Sequence, residues 1–227
     1  NINKNCGSTD IKLLQKEVIK NKADFGIAFD GDGDRLIFVD ENAIELNGDD
    51  ILYVLARDKF ENQITLGSKG IVGTIMTNKG LEISLTKMGV DLIRTDVGDR
   101  HVLQKLEELN WDLGGEQSGH IISLDSSNSG DAIIAAIKFL EAYVCSDLSL
   151  KELLKPLVKY PQILVNLKTD NPEKILKNKS FKKLVAETLK KLEEYDGRVN
   201  VRASGTESMI RIMVESKNEK ETQLASK

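Results

Sequence analysis

Cysteine and long apolar runs are both scarce in this sequence. Its 227 residues include only two cysteines, Cys6 and Cys145, which lie far apart and form no CxxC or Cys/His pattern. Unpaired thiols in a reducing cytoplasm are therefore expected rather than a disulfide. No apolar run approaches the ~18 residues that span a bilayer, and no signal peptide is visible. We therefore expect a cytoplasmic protein without membrane association.

An excess of positive charge is also lacking. Lys and Arg total 32 against 36 Asp and Glu, which gives a formal net charge of −4. A general nucleic-acid binder is excluded, because no surplus of cations is available to neutralise a phosphate backbone. A local anion site stays open, since it needs only a few well-placed donors.

Short apolar runs alternate with helical patterns through the middle of the chain. Gly70–Ile75 and Asp91–Arg94 read as strands, and Leu81–Met88 and Arg100–Leu109 read as helices. Such alternation predicts βαβ units around a mostly parallel sheet. The strongly apolar segment Asp131–Tyr143 predicts a further helix.

The composition changes after Cys145, where the chain becomes rich in lysine and less apolar. A domain boundary within 146–160 is expected. Beyond it, strand patterns at Ile163–Leu167, Arg198–Arg202 and Met209–Glu215 surround one long helical pattern, which predicts a small α+β domain. The expected fold class is therefore α/β, followed by an α+β C-terminal domain.

An acidic loop follows the apolar run Phe25–Phe29. Asp30, Asp32 and Asp34 alternate with two glycines, which let the backbone curl and bring the carboxylates to one point. Three hard oxygen ligands with room for further oxygens suit Mg²⁺. Arg35 adds a fixed positive charge that is suited to gripping a phosphate.

Three other interpretations compete with a magnesium site at the acidic loop. A solvated acidic turn is the simplest. An EF-hand would use Asp30 at position one and Glu41 at position twelve, but Arg35 stands where the turn needs glycine, and both flanks read as strands. That match fails. A haloacid-dehalogenase-type phosphatase, with Asp30 as its nucleophile, fits the local pattern and stays open.

A glycine-rich loop, Gly114–His120, carries three polar side chains at alternate positions. If the segment is extended, Glu116, Ser118 and His120 point to one side. Glu and Ser could hydrogen-bond sugar hydroxyls or an amino group, and His could transfer protons near neutral pH. The alternative is a structural turn. The other histidine, His101, begins a helical pattern and is expected to be structural or solvent-facing.

A third loop, Arg202–Thr206, separates two strand patterns. The hydroxyls of Ser204 and Thr206, the backbone N–H groups opened by Gly205 and one arginine make a compact anion site. Arg211 on the following strand could support it. A plain β-hairpin turn is the alternative, but such a turn would not need the arginine.

In this order, the three loops resemble the α-D-phosphohexomutase superfamily, and the match covers nearly the whole chain. The residues around these loops, including Val97–Arg100, are most similar to those of the bacterial phosphoglucosamine mutase branch. That resemblance implies an isomerase that interconverts glucosamine 6-phosphate and glucosamine 1-phosphate through a phosphoserine and a bisphosphate, on a route to cell-wall precursors. The phosphomannomutase/phosphoglucomutase branch is the runner-up.

The resemblance also implies roles for individual residues. The three aspartates would bind Mg²⁺, and Arg35 would lie against the phosphoserine or the substrate phosphate. Glu116 and Ser118 would hold sugar hydroxyls, while His120 would line the same pocket and assist proton transfer. Within the Arg202–Thr206 loop, all but the alanine would grip the phosphate that is not reacting.

The same resemblance implies a division of the chain into parts of three domains and a linker. The C-terminal part of a second domain would occupy 1–46, a complete third α/β domain 47–145, a linker 146–160 and a fourth domain 161–227. No serine loop is found, and Asn1 is not a start methionine. The chain is therefore expected to be a fragment that lacks the N-terminal portion of the same protein and is inactive alone. A hexosamine phosphate ligand and a homodimer are further expectations, and a fragment that only binds is an alternative.

Overall fold

The chain folds into two compact units, Asn1–Val158 and Lys159–Lys227. The computed structural model describes residues 2–61, 70–205 and 207–227. Over these ranges, no helix combines the length and the apolar character that crossing a lipid bilayer requires.

The first unit begins with a small antiparallel sheet. Its elements are helix α1 (Lys12–Asn21) and strands β1 (Phe25–Phe29), β2 (Leu36–Asp40) and β3 (Glu45–Leu46). The strand order is β1-β2-β3, and Phe29 pairs with Leu36 at the end of the first hairpin. This pairing makes the acidic segment 30–35 the connection between two strands, which excludes the helical flanks of an EF-hand.

The rest of the first unit surrounds a mixed sheet. Its elements are α2 (Gly48–Glu61), β4 (Gly70–Thr74), α3 (Lys79–Lys87), β5 (Asp91–Thr95), α4 (Asp99–Leu109), β6 (Leu113–Gly115), β7 (Ile121–Ser123), α5 (Ala132–Cys145) and α6 (Leu150–Leu154). The strand order is β5-β4-β6-β7. Strand β4 runs parallel to both of its neighbours, and only β7 is antiparallel to its partner. The predicted βαβ organisation and mostly parallel sheet are confirmed.

Helix starts in this unit follow from short polar side chains. The Asn78 side chain accepts a hydrogen bond from the backbone of Gly80 at the start of α3. The Asp131 carboxylate accepts from two backbone N–H groups at the start of α5. Ser149 and Glu152 form a reciprocal capping box on α6. Each cap satisfies amide groups that have no partner within the helix.

The segment 146–160, for which the sequence predicts a linker, is largely folded. It contains α6, and Leu150 and Leu153 are buried in the main core of the first unit. The division between the two units falls at its end, after Val158. The finer division at 46/47 stays a prediction.

The second unit is an antiparallel sheet with helices, in agreement with the predicted α+β domain. Its elements are β8 (Gln162–Lys168), α7 (Pro172–Lys177), α8 (Lys179–Leu192), a 3₁₀ turn (Glu193–Tyr195), β9 (Arg198–Ala203), β10 (Met209–Glu215) and α9 (Glu219–Ala225). The strand order is β8-β10-β9. The central strand β10 is the most buried, with Ile210, Met213 and Val214 almost fully enclosed.

Aromatic side chains join the small sheet of the first unit to helix α5. The rings of Phe38 on β2 and Phe139 on α5 stack with centroids 4.3 Å apart. Phe25 on β1 packs edge-on against Phe38 and against Tyr143 on α5. The hairpin that carries the acidic loop is therefore fixed to the larger sheet through α5.

Replacing one of these aromatic rings should lower the stability of the fold. We expect Phe139→Ala to lower the free energy of unfolding by about 3–5 kcal/mol, because a buried aromatic leaves a cavity. Ile137→Ala is the matched control on the same helix, since Ile137 is 59% exposed, and we expect a change of about 0.5 kcal/mol. Urea unfolding followed by the fluorescence of the single tryptophan measures both. Equal losses would contradict the packing described.

Candidate functional site

The acidic loop is folded by its own first carboxylate. Asp30 Oδ1 accepts hydrogen bonds from the backbone N–H groups of Asp34 (3.2 Å) and Arg35 (3.1 Å). These bonds draw the far end of the loop back over its start. As a result, Asp30, Asp32 and Asp34 each offer a carboxylate oxygen, and these oxygens lie within 4.8 Å of one another.

Crowded carboxylates perturb one another. Burial and the neighbouring Asp30 raise the pKa of the Asp34 carboxyl. Burial alone would raise the pKa of Asp30 as well, but hydrogen bonding, including that from two backbone amides, and the nearby Arg35 guanidinium lower it. Arg35 Nε lies 3.7 Å from Asp30 Oδ2 and 3.9 Å from Asp34 Oδ1. One guanidinium only partly offsets three carboxylates.

The donor set fits a hard divalent cation. Three carboxylates converge, and Asp34 Oδ1 is buried without a hydrogen-bond partner among the described residues. A buried acceptor without a partner costs free energy, and a coordinated cation would remove that cost. Oxygen-only donors of this kind suit Mg²⁺.

The glycine-rich loop is a turn and not an extended segment. Gly119 has φ +94°, and its N–H donates to the Glu116 carbonyl at 3.0 Å. The three polar side chains therefore do not point to one side. Ser118 is exposed, Glu116 is half-buried, and His120 is only 5% exposed. The alternation argument fails because it assumes a strand geometry that the turn replaces.

Backbone contacts clamp the glycine-rich loop to the end of the acidic loop. The Leu36 N–H donates to the Gly119 carbonyl at 3.0 Å, and Arg35 pairs with His120 as an antiparallel bridge. A Cβ at Gly119 would lie 2.1 Å from the Leu36 carbonyl oxygen. His120 Nδ1 lies 3.1 Å from Asp34 Oδ2. The structure thus joins two loops that are more than eighty residues apart in sequence.

Two supports of this loop were not predicted from the sequence. The Gly48 N–H donates to the Gln117 carbonyl at 3.0 Å. The Asp49 carboxylate accepts from the Gln117 side chain at 3.2 Å and from the Asn78 backbone at 3.1 Å. Asp49 is completely buried. The signal in the sequence was an aspartate directly after a glycine where a helical pattern begins. The hydrogen-bond partners of Asp49 are far away in sequence, so the pattern alone does not identify them.

The loop after β5 also contacts the glycine-rich loop. The Gly98 N–H donates to Glu116 Oε1 at 3.0 Å. Loops that follow neighbouring parallel strands meet at one edge of a sheet, where α/β proteins commonly bind ligands. Glu116 is thereby held at that edge. His101, in the first turn of α4, is exposed.

The third predicted loop lies in the second unit, at the end of the β9–β10 hairpin. Arg202 and Arg211 are directly opposite each other on the two strands. The Ser204 N–H donates to the Met209 carbonyl at 2.9 Å, and Gly205 is exposed. Thr206 lies outside the described residues.

The paired arginines favour an anion. Like charges that face each other across a strand pair repel, and Arg211 is partly offset by Glu207, whose Oε2 lies 3.0 Å from Arg211 Nη2. A phosphate bound at this hairpin would accept charge-assisted hydrogen bonds from the guanidinium groups. The chemistry of the hairpin therefore suits an anion.

These features define an α/β protein whose acidic loop is clamped to a glycine-rich loop at a sheet edge. The chain belongs to the phosphoglucomutase/phosphomannomutase family. Its residues 3–45 match alpha/beta/alpha domain II of that family, residues 47–160 match alpha/beta/alpha domain III, and residues 164–225 match the C-terminal domain.

Proteins similar to this chain include two bacterial phosphoglucosamine mutases. The one from Aliivibrio fischeri (strain MJ11) is 47% identical over 96% of this chain and 48% of its own length. The one from Histophilus somni (strain 2336) is 45% identical over 100% of this chain and 50% of its own length. The chain thus spans about half the length of these relatives.

Solved structures share the fold. The N-acetylphosphoglucosamine mutase of Aspergillus fumigatus, in complex with GlcNAc-6P and magnesium, superposes with a TM-score of 0.77 at 23% identity, over 97% of this chain and 51% of that one. An N-acetylglucosamine-phosphate mutase in its product complex gives 0.76 at 19% identity, over 99% and 52%. At these sequence identities, the similarity shows a shared fold.

The close approach at Gly48 can be tested by adding one methyl group. A Cβ there would lie 1.9 Å from the Glu116 carbonyl oxygen. We expect Gly48→Ala to lower the free energy of unfolding by about 1–3 kcal/mol through overpacking, although alanine normally favours helices. Gly205→Ala is the control, because nothing lies within 4 Å of its added Cβ. Chemical denaturation measures the free energy of unfolding of both variants. A Gly48→Ala variant as stable as wild type would contradict the close contact between Gly48 and the glycine-rich loop.

A second test concerns Asp125, which begins the loop that leads to α5. Burial would raise the pKa of its carboxyl, but hydrogen bonds from Lys138, Ser123 and Ser126 outweigh it and lower that pKa from 3.8 to about 2. The resulting stability is present above pH 3.8 and is lost as pH falls through about 2. Because the side chain is 41% exposed, solvent screening limits the effect to about 1 kcal/mol.

We therefore expect Asp125→Asn to reduce the free energy of unfolding at pH 7 by about 1 kcal/mol. The difference in free energy of unfolding between wild type and variant should decrease as pH falls from 5 towards 2.5. Lys138→Met, which removes the main donor at 2.6 Å, should behave alike. Urea titrations across this pH range measure the gap, and a gap independent of pH would refute the assignment.

Proposed function

We propose that this chain is the metal-, sugar- and phosphate-binding part of a phosphoglucosamine mutase, an isomerase that interconverts glucosamine 6-phosphate and glucosamine 1-phosphate. The observation that carries the proposal is the carboxylate cluster of the acidic loop, clamped by backbone bonds to the Glu116 loop. The names of relatives at 45–47% identity support the choice of sugar.

Mg²⁺ is the proposed cofactor. Asp30, Asp32 and Asp34 would hold it, since their oxygens converge and the Aspergillus fumigatus relative was solved with magnesium. A bound Mg²⁺ supplies charge neutralisation for a transferring phosphoryl group. That role needs the carboxylates as ligands and not as nucleophiles.

The phosphatase alternative is disfavoured by the surroundings of Asp30. Its side chain is only 7% exposed, and Oδ1 already accepts two backbone hydrogen bonds. The other oxygen, Oδ2, lies 3.7 Å from Arg35 Nε, and Asp30 belongs to the group of converging carboxylates, so it is proposed as a metal ligand and not as a nucleophile. Asp30 instead organises the loop that carries the other two carboxylates.

Arg35 and the glycine-rich loop are the proposed substrate contacts of the first unit. The Arg35 side chain is 46% exposed and lies beside the carboxylates, where it can bind a phosphate that approaches the metal. Glu116, held by the Gly98 amide, can accept from a hydroxyl or an amino group of the sugar. Ser118 is exposed on the same turn and can donate or accept.

The hairpin of the second unit is the proposed site for a sugar-bound phosphate. Arg202 and Arg211 supply positive charge, and Ser204, Gly205 and Thr206 supply hydroxyl and backbone donors. These donors recognise any phosphate without regard to the sugar position that carries it. A mutase needs that tolerance, since its substrate and product carry the phosphate at different positions.

The phosphoserine of the proposed reaction would come from a part of the protein outside this chain, which spans about half the length of its relatives. In the first transfer, the serine O–P bond would break as the free sugar hydroxyl forms a new O–P bond, giving a bisphosphate, and the hydroxyl proton would end on the serine oxygen. In the second, the other sugar O–P bond would break as the serine oxygen is phosphorylated again, and the serine proton would end on the sugar oxygen. The chain alone is therefore proposed to be inactive.

A fusion tests the proposal. We expect the chain, placed after the half of the Aliivibrio fischeri relative that it does not match, to convert glucosamine 6-phosphate to glucosamine 1-phosphate in ³¹P NMR. The chain alone should give no conversion. Asp32→Asn in the fusion should slow turnover roughly 100-fold or more, because a charge-stabilising group is weakened.

Asp91→Asn is the matched control, since Asp91 is an exposed aspartate on β5, and turnover should be unchanged. A folded fusion that converts no hexose phosphate would refute the proposal. Faster turnover of mannose or glucose phosphates would instead assign the chain to the phosphomannomutase/phosphoglucomutase branch.

A further inference from the structure

We infer that Asp49, a buried aspartate at the start of α2, is a positioning residue for sugar recognition, which holds the turn Glu116–Ser118 in place through the Gln117 side chain. The inference deepens the proposed function and rests on it, since Glu116 and Ser118 are the proposed sugar contacts. Asp49 is completely buried, so it acts through the glycine-rich loop and does not touch the sugar.

Helix α2 gives the glycine-rich loop a fixed point of attachment. The first nine residues of the helix, Gly48–Ala56, are all buried. The helix packs against α3, α5, α6 and β6. A close-packed helix that is enclosed on several sides cannot shift without opening the core. A loop that is bonded to the first turn of α2 is therefore held against the most rigid part of the unit.

Two hydrogen bonds join α2 to a single residue of the turn. The Gly48 N–H donates to the Gln117 carbonyl at 3.0 Å, and Gln117 Nε2 donates to Asp49 Oδ2 at 3.2 Å. A carboxylate accepts and does not donate, so Asp49 also determines which end of the Gln117 amide faces the helix. Both the main chain and the side chain of Gln117 are thereby fixed. Since Gln117 lies between the two proposed sugar contacts, its attachment restricts both of them.

The same carboxylate oxygen also binds the loop after β4. Asp49 Oδ2 accepts from the Asn78 N–H at 3.1 Å, and the Asn78 side chain in turn caps α3 by accepting from the Gly80 N–H at 2.9 Å. Strands β4 and β6 are parallel neighbours, so the loops that follow them lie side by side at one edge of the sheet. Asp49 thus ties both of these loops to α2.

The burial of Asp49 argues that its hydrogen bonds serve more than packing. Ile51, Leu52 and Val54 on the same helix are buried apolar side chains. Replacing a buried charged group by an apolar one of similar volume is often neutral or stabilising. An enclosed carboxylate is costly unless donors are held in place around it. A carboxylate at this position therefore indicates that the positions of its donors matter.

A third loop reports on the outcome of this arrangement. The Gly98 N–H donates to Glu116 Oε1 at 3.0 Å. If Gln117 were released from Asp49, the neighbouring Glu116 carboxylate would move relative to Gly98. The line of action thus runs from Asp49 through Gln117 to Glu116, and the amide proton of Gly98 senses its last step.

The matched pair Asp49→Asn and Asp49→Leu tests this role, because the two replacements have similar volumes and only asparagine keeps an acceptor oxygen. The measurement is an NMR titration of the 227-residue chain with glucosamine 6-phosphate. We expect Asp49→Leu to bind roughly 10-fold more weakly than wild type, the factor for a lost hydrogen bond to a charged group. Asp49→Asn should bind within about 3-fold of wild type, since a neutral acceptor keeps part of that bond.

A spectroscopic signature needs no ligand. In Asp49→Leu, the amide proton resonance of Gly98 should move upfield as its hydrogen bond to Glu116 lengthens. In Asp49→Asn, the resonance should stay close to its wild-type position. A role of Asp49 in stabilising the start of α2 by its charge alone predicts a loss of stability in both variants and no change at Gly98.

A double-mutant cycle tests the line of action. Gln117→Leu removes the same bond from its other end, so the double variant Asp49→Leu/Gln117→Leu should bind no more weakly than the weaker single variant. Ser149→Ala is the control for stability alone. It removes the capping box of α6, which should lower thermal stability and leave the affinity for glucosamine 6-phosphate unchanged.

Three outcomes would overturn the inference and leave the proposed function intact. They are an unaltered Gly98 resonance together with wild-type affinity in Asp49→Leu, equal weakening by asparagine and leucine, and losses that multiply in the double variant. Absence of glucosamine 6-phosphate binding by the wild-type chain would instead count against the proposed sugar site. The Gly98 resonance would then decide by itself whether Asp49 holds the turn.

Discussion

Repulsion among three carboxylates whose oxygens lie within 4.8 Å is the constraint on which the site depends. Like charges this close would open a free loop. Every contact around them works against opening: two backbone amides on Asp30, one guanidinium beside Asp30 and Asp34, and one imidazole on Asp34. These are hydrogen bonds and partial neutralisation, and they hold the loop in shape without cancelling its charge. The uncancelled charge is what makes a divalent cation the natural complement of the loop.

Glycines at close backbone contacts make the arrangement sterically feasible. Gly48 and Gly119 each lie where a Cβ would come within about 2 Å of a carbonyl oxygen of another loop. Main chains can then bond directly, Gly48 to Gln117 and Gly119 to Leu36. Direct main-chain bonding fixes distance more tightly than long side chains can. The glycine-rich character of the Gly114–His120 loop is therefore explained by its contacts as much as by flexibility.

The sequence predicted those parts of the fold whose signals are local. The apolar runs predicted strands at Phe25–Phe29 and Met209–Glu215, which are β1 and β10. The helix–strand alternation predicted a mostly parallel sheet, in which β4 is found paired in parallel with β5. The acidic loop was also visible, because three aspartates and two glycines are adjacent in the chain. The turn at Gly119 was not, since alternate polar residues fit a strand equally well. The partners of Glu116 and Gln117, at Gly98 and Asp49, depend on tertiary contacts that no local pattern encodes.

Under the proposed function, the two units would meet different chemical demands, and their construction differs accordingly. Metal ligation would require fixed oxygen positions, and the acidic loop is bonded to the glycine-rich loop and anchored through stacked rings on α5. Phosphate recognition by guanidinium and backbone donors tolerates more variation, because a phosphate offers several equivalent oxygens. The Arg202 hairpin accordingly ends in an exposed glycine and relies on its own small core around Ile210 and Met213. Under that proposal, rigidity is concentrated in the loop whose carboxylate oxygens would set the coordination geometry.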